Sequence, residues 1–119
     1  MFQIIFYETE DGFRPVSEFL DSLDNKMAAK LIGLMDILEE KGTELRLPYS
    51  ESLGDGIFEL RCKLGSNITR VLYFFYYDSR IIVTNGFVKK TQKTPYREIQ
   101  LAKKRRKDWI NRNNKQGGV

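Results

Sequence analysis

Three apolar runs between Ile57 and Val88, separated only by short turns, constrain this chain more than any other feature. In Ile57–Leu64, the residues Phe58, Leu60, Cys62 and Leu64 alternate with Glu59, Arg61 and Lys63, which predicts a strand with one apolar and one charged face. Gly65-Ser66-Asn67 turns the chain into Ile68–Tyr77, apolar or aromatic on both faces apart from Thr69 and Arg70. A strand of that kind belongs in the centre of a sheet. Asp78-Ser79 leads into the third run, Arg80–Val88. Parallel strands need crossovers of roughly a dozen residues or more, so connections this short dictate an antiparallel meander.

The N-terminal half follows another period. Phe2–Tyr7 reads as a short strand able to pair at one edge of the sheet, and Glu8–Gly12 as a turn. Pro15–Leu23 reads as a short helix opened by proline and broken near Asp24-Asn25. From Lys26 to Lys41, Met27, Leu31, Leu34, Met35 and Leu38 form one stripe of an amphipathic helix, with Gly42 as its stop. Thr43–Gly56, rich in Pro, Ser, Gly and Asp, reads as a loop. Thr94-Pro95 has the form of a helix start, with a hydroxyl N-cap and proline in the first turn. That last helix is expected to run to about Asn113, with Tyr96, Ile99, Ala102, Arg106 and Trp109 on its apolar side and residues 113–119 fraying. The predicted order is β-α-α-β-β-β-α. This is an α+β, two-layer fold in a single domain of 119 residues, with an antiparallel sheet and helices packed mainly on one face.

Composition removes most familiar chemistries. The chain has no histidine, so a Ser-His-Asp triad, a Cys-His pair and imidazole acid–base catalysis are impossible. One cysteine and no histidine cannot supply the usual zinc ligands. No glycine-rich nucleotide loop is present. The carboxylates of the first half fall on turns and exposed helix positions such as Asp36, Glu39 and Glu40, a poor basis for a two-metal nuclease. No metal site and no cofactor is therefore expected. Cys62 alone cannot form an intrachain disulfide, which fits a reducing cytoplasm. No run reaches transmembrane length, and Met1–Phe6 lacks the basic start of a signal peptide, so a cytoplasmic protein without a membrane partner is expected.

The charge is divided unevenly. Residues 1–55 hold 5 Lys/Arg and 12 Asp/Glu, whereas residues 56–119 hold 15 Lys/Arg and 4 Asp/Glu. The basic half is also rich in aromatic residues, a combination that fits nucleic acid as well as an unevenly charged surface. Within it, Lys89, Lys90 and Lys93 fall where the third strand ends and the last helix is about to begin. Strand ends and helix N-termini favour anions, and phosphate is the expected partner.

Arg70 interrupts an apolar strand, where a charge is costly unless it has a partner or a ligand. Arg61 stands on the charged face of the neighbouring strand, where Glu59 or Asp78 could pair with it. If the third strand continues through Lys89 and Lys90, they face opposite sides. Arg61, Arg70 and one or both lysines can thus gather on one sheet face, with Tyr73 or Tyr76 nearby. Such a set can bind phosphates alone. It can also cleave RNA without metal, with arginines stabilising a pentacoordinate phosphorane and a lysine or tyrosine of lowered pKa taking the 2′-OH proton. Lys63, Phe87 and Lys93 are further candidates for RNA contact. Lys103, Lys104, Arg105 and Arg106, in the basic run of the last helix, form a solvated face, a grip on a nucleic-acid backbone or a dock for an acidic partner. Trp109 is expected to anchor that helix to the core.

Four blocks carry a family resemblance: Gly42-Thr-Glu-Leu-Arg-Leu-Pro48, Ser50-Glu-Ser-Leu-Gly-Asp-Gly-Ile-Phe-Glu-Leu-Arg61, Arg70-Val-Leu-Tyr-Phe74 and Asn85-Gly-Phe-Val-Lys-Lys-Thr-Gln-Lys-Thr-Pro95. In their order and spacing the chain resembles the RelE/ParE superfamily of toxin–antitoxin toxins, in particular its phage-derived HigB-like branch. The resemblance implies a toxin that cuts mRNA on the translating ribosome without metal. It also implies a cognate antitoxin, in this branch a helix-turn-helix, HigA-like protein. The alternative within the superfamily is a ParE-like poison of DNA gyrase with no nuclease site. Carried over by the resemblance, Arg61, Arg70, Lys89 and Lys90 match positions of phosphate binding and cleavage, and Phe87 the aromatic position before them. Many relatives have histidine where this chain has Asn85, and no C-terminal tyrosine of the kind some relatives use is present. The general base is thus open among Lys89, Lys90 and Tyr73.

Overall fold

The computed structural model describes residues 1–117, with side chains as far as Asn114. In chain order the elements are β1 (Gln3–Phe6), α1 (Pro15–Ser22), α2 (Asn25–Lys41), a 3-10 turn (Gly42–Glu44), β2 (Ser50–Gly54), β3 (Ile57–Leu64), β4 (Asn67–Tyr76), β5 (Arg80–Val88) and α3 (Tyr96–Gly117). The strands form one sheet in the order β1-β5-β4-β3-β2. The pairs β2–β3, β3–β4 and β4–β5 are antiparallel, but β1 pairs in parallel with β5, so the sheet is mixed where an antiparallel one was expected. The architecture is α+β, a five-stranded mixed sheet with three helices, compatible with a RelE-like fold.

Several expectations change. Ser50–Gly54, expected in a loop, is the edge strand β2. Its sequence Ser-Glu-Ser-Leu-Gly carries no apolar alternation, and it pairs only with β3. The β2 edge ties up two of its own amides, with Ser50 N–H donating to Arg46 O and Gly54 N–H to Ser52 Oγ. The helices also divide between the two faces instead of sharing one. α1 and α2 cover Leu60, Cys62, Val71, Tyr73, Ile81 and Val83, whereas α3 lies on the opposite face over Ile57, Leu72, Phe74 and Ile82. A central strand that is apolar on both sides needs two covers. Finally, α3 continues to Gly117, past the expected fraying point at Asn113; residues 118–119 of that expected tail lie outside the described residues.

Local chemistry sets the helix ends. Asp24 caps α2, its side chain accepting from Met27 N–H at 2.8 Å. Gly42 ends α2 with a φ of 55°, and a Cβ there would run into the Phe2 ring. The Thr94 hydroxyl does not cap α3; Pro95 O instead accepts from Glu98 N–H and Ile99 N–H.

Trp109 anchors α3, packing edge-on against Phe74 and Tyr76 with centroids 6.0 and 4.8 Å away. Tyr96, expected on the same apolar side, is exposed. Further anchors are polar. Tyr7 Oη donates to Asp108 Oδ2 at 2.6 Å, and Asn85 Nδ2 donates to Glu98 O and Oε1 at 3.2 and 3.0 Å. Asn85 thus ties β5 to the first turns of α3.

On the other face, the Phe19 ring of α1 lies against Gly86 of β5, where a Cβ would overlap it. Gly86→Ala is expected to force the ring or the strand aside and cost about 1–3 kcal/mol. Chemical denaturation checks this; an unchanged midpoint would show that the contact yields freely.

Candidate functional site

α3 covers only part of its sheet face. Beyond its N-terminus the strands carry charge where they elsewhere carry apolar residues: Glu59 and Arg61 on β3, and Arg70 on β4. Glu51 of β2 and residues 89–94, which follow β5, complete the walls. The result is an open cleft of about 690 Å³ lined by Glu51, Glu59, Arg61, Arg70, Lys89, Lys90 and Lys93 together with Leu53, Ile68, Thr91, Gln92 and Thr94. Five cations face two carboxylates, so the cleft is positive.

Its arginines are held in unequal ways. Arg61 and Arg70 are register partners in the antiparallel β3–β4 pair, an arrangement that like charges disfavour. Carboxylates offset it. Arg61 Nη1 donates to Glu51 Oε2 at 2.6 Å and to Glu59 Oε2 at 3.2 Å. Arg70, 4% exposed, donates from Nη1 to Thr69 O at 3.0 Å, while its Nε lies 3.5 Å from Glu59 Oε1 outside hydrogen-bond geometry. Arg70 is thus a buried guanidinium at the wall of an open cleft, paired with Glu59 and with its buried Nε–H left without a hydrogen bond. Glu59 Oε1 accepts instead from Thr94 Oγ1 at 2.5 Å, tying the loop after β5 to the cleft floor.

Both lysines after β5 line the cleft. The strand stops at Val88, so the alternation that would separate Lys89 from Lys90 no longer applies. Lys89 is half-buried, and its backbone N–H donates to Ile68 O at 2.8 Å. Burial first, and then the Arg70 charge, holds its ammonium below the ordinary lysine pKa, against a smaller opposing pull from Glu59. Lys90 and Lys93 are exposed. Phe87, the register partner of Arg70, is half-buried and packs with the α3-side core.

Other sequence-nominated residues stand elsewhere. Tyr73 is on the opposite sheet face, 1% exposed, stacked on Phe58 at 5.6 Å and hydrogen-bonded to Ser50 Oγ. Burial raises its pKa, whereas the expected role as base called for a lowered one. Residues 70 and 73 differ by an odd number, so they could not share a strand face. Lys63 is exposed further along β3.

The basic run of α3 is largely spent on the fold. Lys103 Nζ pairs with Asp55 Oδ2 at 2.7 Å, and Arg106 Nη1 donates to Asp55 O, so both clamp the β2–β3 turn. Arg105 Nη1 donates to Thr84 O at 3.0 Å with its guanidinium over the Tyr7 ring. Lys104 points outward, exposed. The pair that sequence reasoning missed is Glu59 with Thr94. The pairing of Glu59 with Arg61 was legible from their shared parity and forms at 3.2 Å, but nothing in the sequence brings Thr94 to the same carboxylate.

A small α+β protein with a cationic cleft past the end of a sheet-covering helix is the class that fold and geometry define. A family model described as phage-derived protein Gp49-like (DUF891) matches residues 18–107, and the chain belongs to that family. Among curated proteins none matches it. The matched span takes in every cleft residue from Glu51 to Thr94. Among the described residues, no helix is long and apolar enough to cross a membrane.

Proposed function

We propose that this protein is the toxin of a type II toxin–antitoxin pair, a HigB-like member of the RelE/ParE superfamily that cuts mRNA on the ribosome without metal. The observation that carries the reading is the cleft, where buried Arg70, Arg61 and half-buried Lys89 face one open volume. Membership of a phage-derived family supports the same reading.

In the proposed reaction the deprotonated form of Lys89, which burial and the Arg70 charge favour by lowering its pKa, accepts the 2′-OH proton. The 2′-oxygen attacks the adjacent phosphorus, and the P–O5′ bond breaks, the departing 5′-oxygen taking a proton from water. The products are a 2′,3′-cyclic phosphate and a 5′-hydroxyl. Arg61 and Arg70 stabilise the charge that gathers on the phosphorane oxygens. Lys90 and Lys93 hold flanking phosphates, and exposed Lys104 is available to ribosomal RNA. The cytoplasm is where such a substrate is found, and the cognate HigA-like antitoxin silences the toxin there.

Induction from a tightly repressed promoter tests this. Growth should stop, and primer extension should find new ends inside translated frames. Intact mRNA accompanied by gyrase-linked DNA breaks would contradict the nuclease and favour the ParE-like alternative.

A further inference from the structure

A carboxylate at the floor of a phosphate-binding cleft works against its ligand, and Glu59 is 2% exposed there. Its two oxygens are already engaged, Oε2 by Arg61 and Oε1 by Thr94 at 2.5 Å, so it is poorly placed to take a substrate proton. What the geometry does explain is alignment. Arg61 and Arg70 lie opposite each other in register and repel, and Glu59 sits between them, 3.2 Å from one and 3.5 Å from the other. The same side chain reaches the loop that carries Lys89, Lys90 and Lys93, through Thr94.

We propose that Glu59 is a positioning residue: it holds the two guanidiniums as a pair and pins the lysine-bearing loop over them through the Thr94 hydroxyl. The reaction it serves rests on the nuclease reading; the alignment does not. Charge follows the same geometry. Lys89 faces Arg70 from β4, Arg61 and Glu59 from β3, Glu51 from β2, and Lys90 and Lys93 from its own segment. Removing the Glu59 charge leaves Lys89 among cations and easier to deprotonate.

Two variants test this, Glu59→Gln and, in case a neutral residue beside Arg70 fails to fold, Thr94→Val, which leaves both ion pairs in place. Each is read by cleavage of ribosome-bound mRNA across pH and by NMR titration of the Lys89 15Nζ signal. Glu59→Gln should lower kcat about 10–100-fold without raising KM, and should move the Lys89 titration to lower pH. Thr94→Val should lower kcat several-fold at unchanged KM. Wild-type kcat with an unmoved Lys89 titration in the variants would overturn the proposal. If the wild-type protein cuts no mRNA, the nuclease reading fails alone, because the Lys89 titration still decides the role of Glu59.

Discussion

Arg70→Ala is expected to remove cleavage almost entirely and to destabilise the fold as well. The side chain supplies a charged donor at the cleft wall, and deleting one preorganised donor to a transition-state oxyanion costs about 10²–10³ in kcat. The same deletion leaves Glu59, at 2% exposure, with one of its two arginines gone. Breaking a buried ion pair from one side costs about 3–5 kcal/mol. Arg61 still reaches Glu59 Oε2, which puts the expected loss at the lower end of that range. Arg70→Lys separates the two effects. It keeps the charge beside Glu59 and should restore much of the stability, but an ammonium cannot reproduce the planar fork, so activity should stay low. Denaturant midpoints and single-turnover cleavage measured on the same preparations check both parts. An Arg70→Ala protein that cuts at the wild-type rate would remove Arg70 from the reaction.

The second large effect concerns pH. A general base works only when unprotonated, so cleavage should rise as pH passes upward through the Lys89 pKa and level off above it. That pKa lies below the ordinary lysine value of 10.5 because burial and the Arg70 charge disfavour the ammonium. The rising limb should therefore fall at lower pH than a free lysine would give. Lys89→Arg keeps a cation that cannot deprotonate, and should lose about 10²–10⁴ in kcat together with the limb. Lys90→Ala, at an exposed position, should mainly raise KM. A Lys89→Arg protein with the wild-type pH profile would show that the base lies elsewhere.

Much of this architecture was legible in the residues. The change of period at Ile57 and the short turns at Gly65 and Asp78 determined the meander, and the stripe from Met27 to Leu38 determined α2. Two features were legible but missed. β4 is apolar on both faces, which requires helices on both, and the odd separation of Arg70 from Tyr73 puts them on opposite sides. Others depend on tertiary contact. β2 is a strand only because β3 offers it a ladder, and its Ser-rich sequence carries no pattern of its own. Lys103, Arg105 and Arg106 read as a solvated face or a grip on a partner until Asp55 and Thr84 are brought to them by the fold. Glu59 reads only as an ion-pair candidate for Arg61 until Arg70 is set across from Arg61 and Thr94 closes over it.

The chemistry of the cut ends tests the central claim most directly. Purified protein, ribosomes and a 3′-labelled mRNA, followed by treatment of the fragments with polynucleotide kinase, reveal which bond broke and how. Attack by the 2′-oxygen, assisted by Lys89 and the arginine pair, leaves a 5′-hydroxyl that the kinase labels directly and a 2′,3′-cyclic phosphate upstream. Fragments that begin with a 5′-phosphate and end in a free 3′-hydroxyl would mean that water, not the 2′-oxygen, attacked, and would contradict the account.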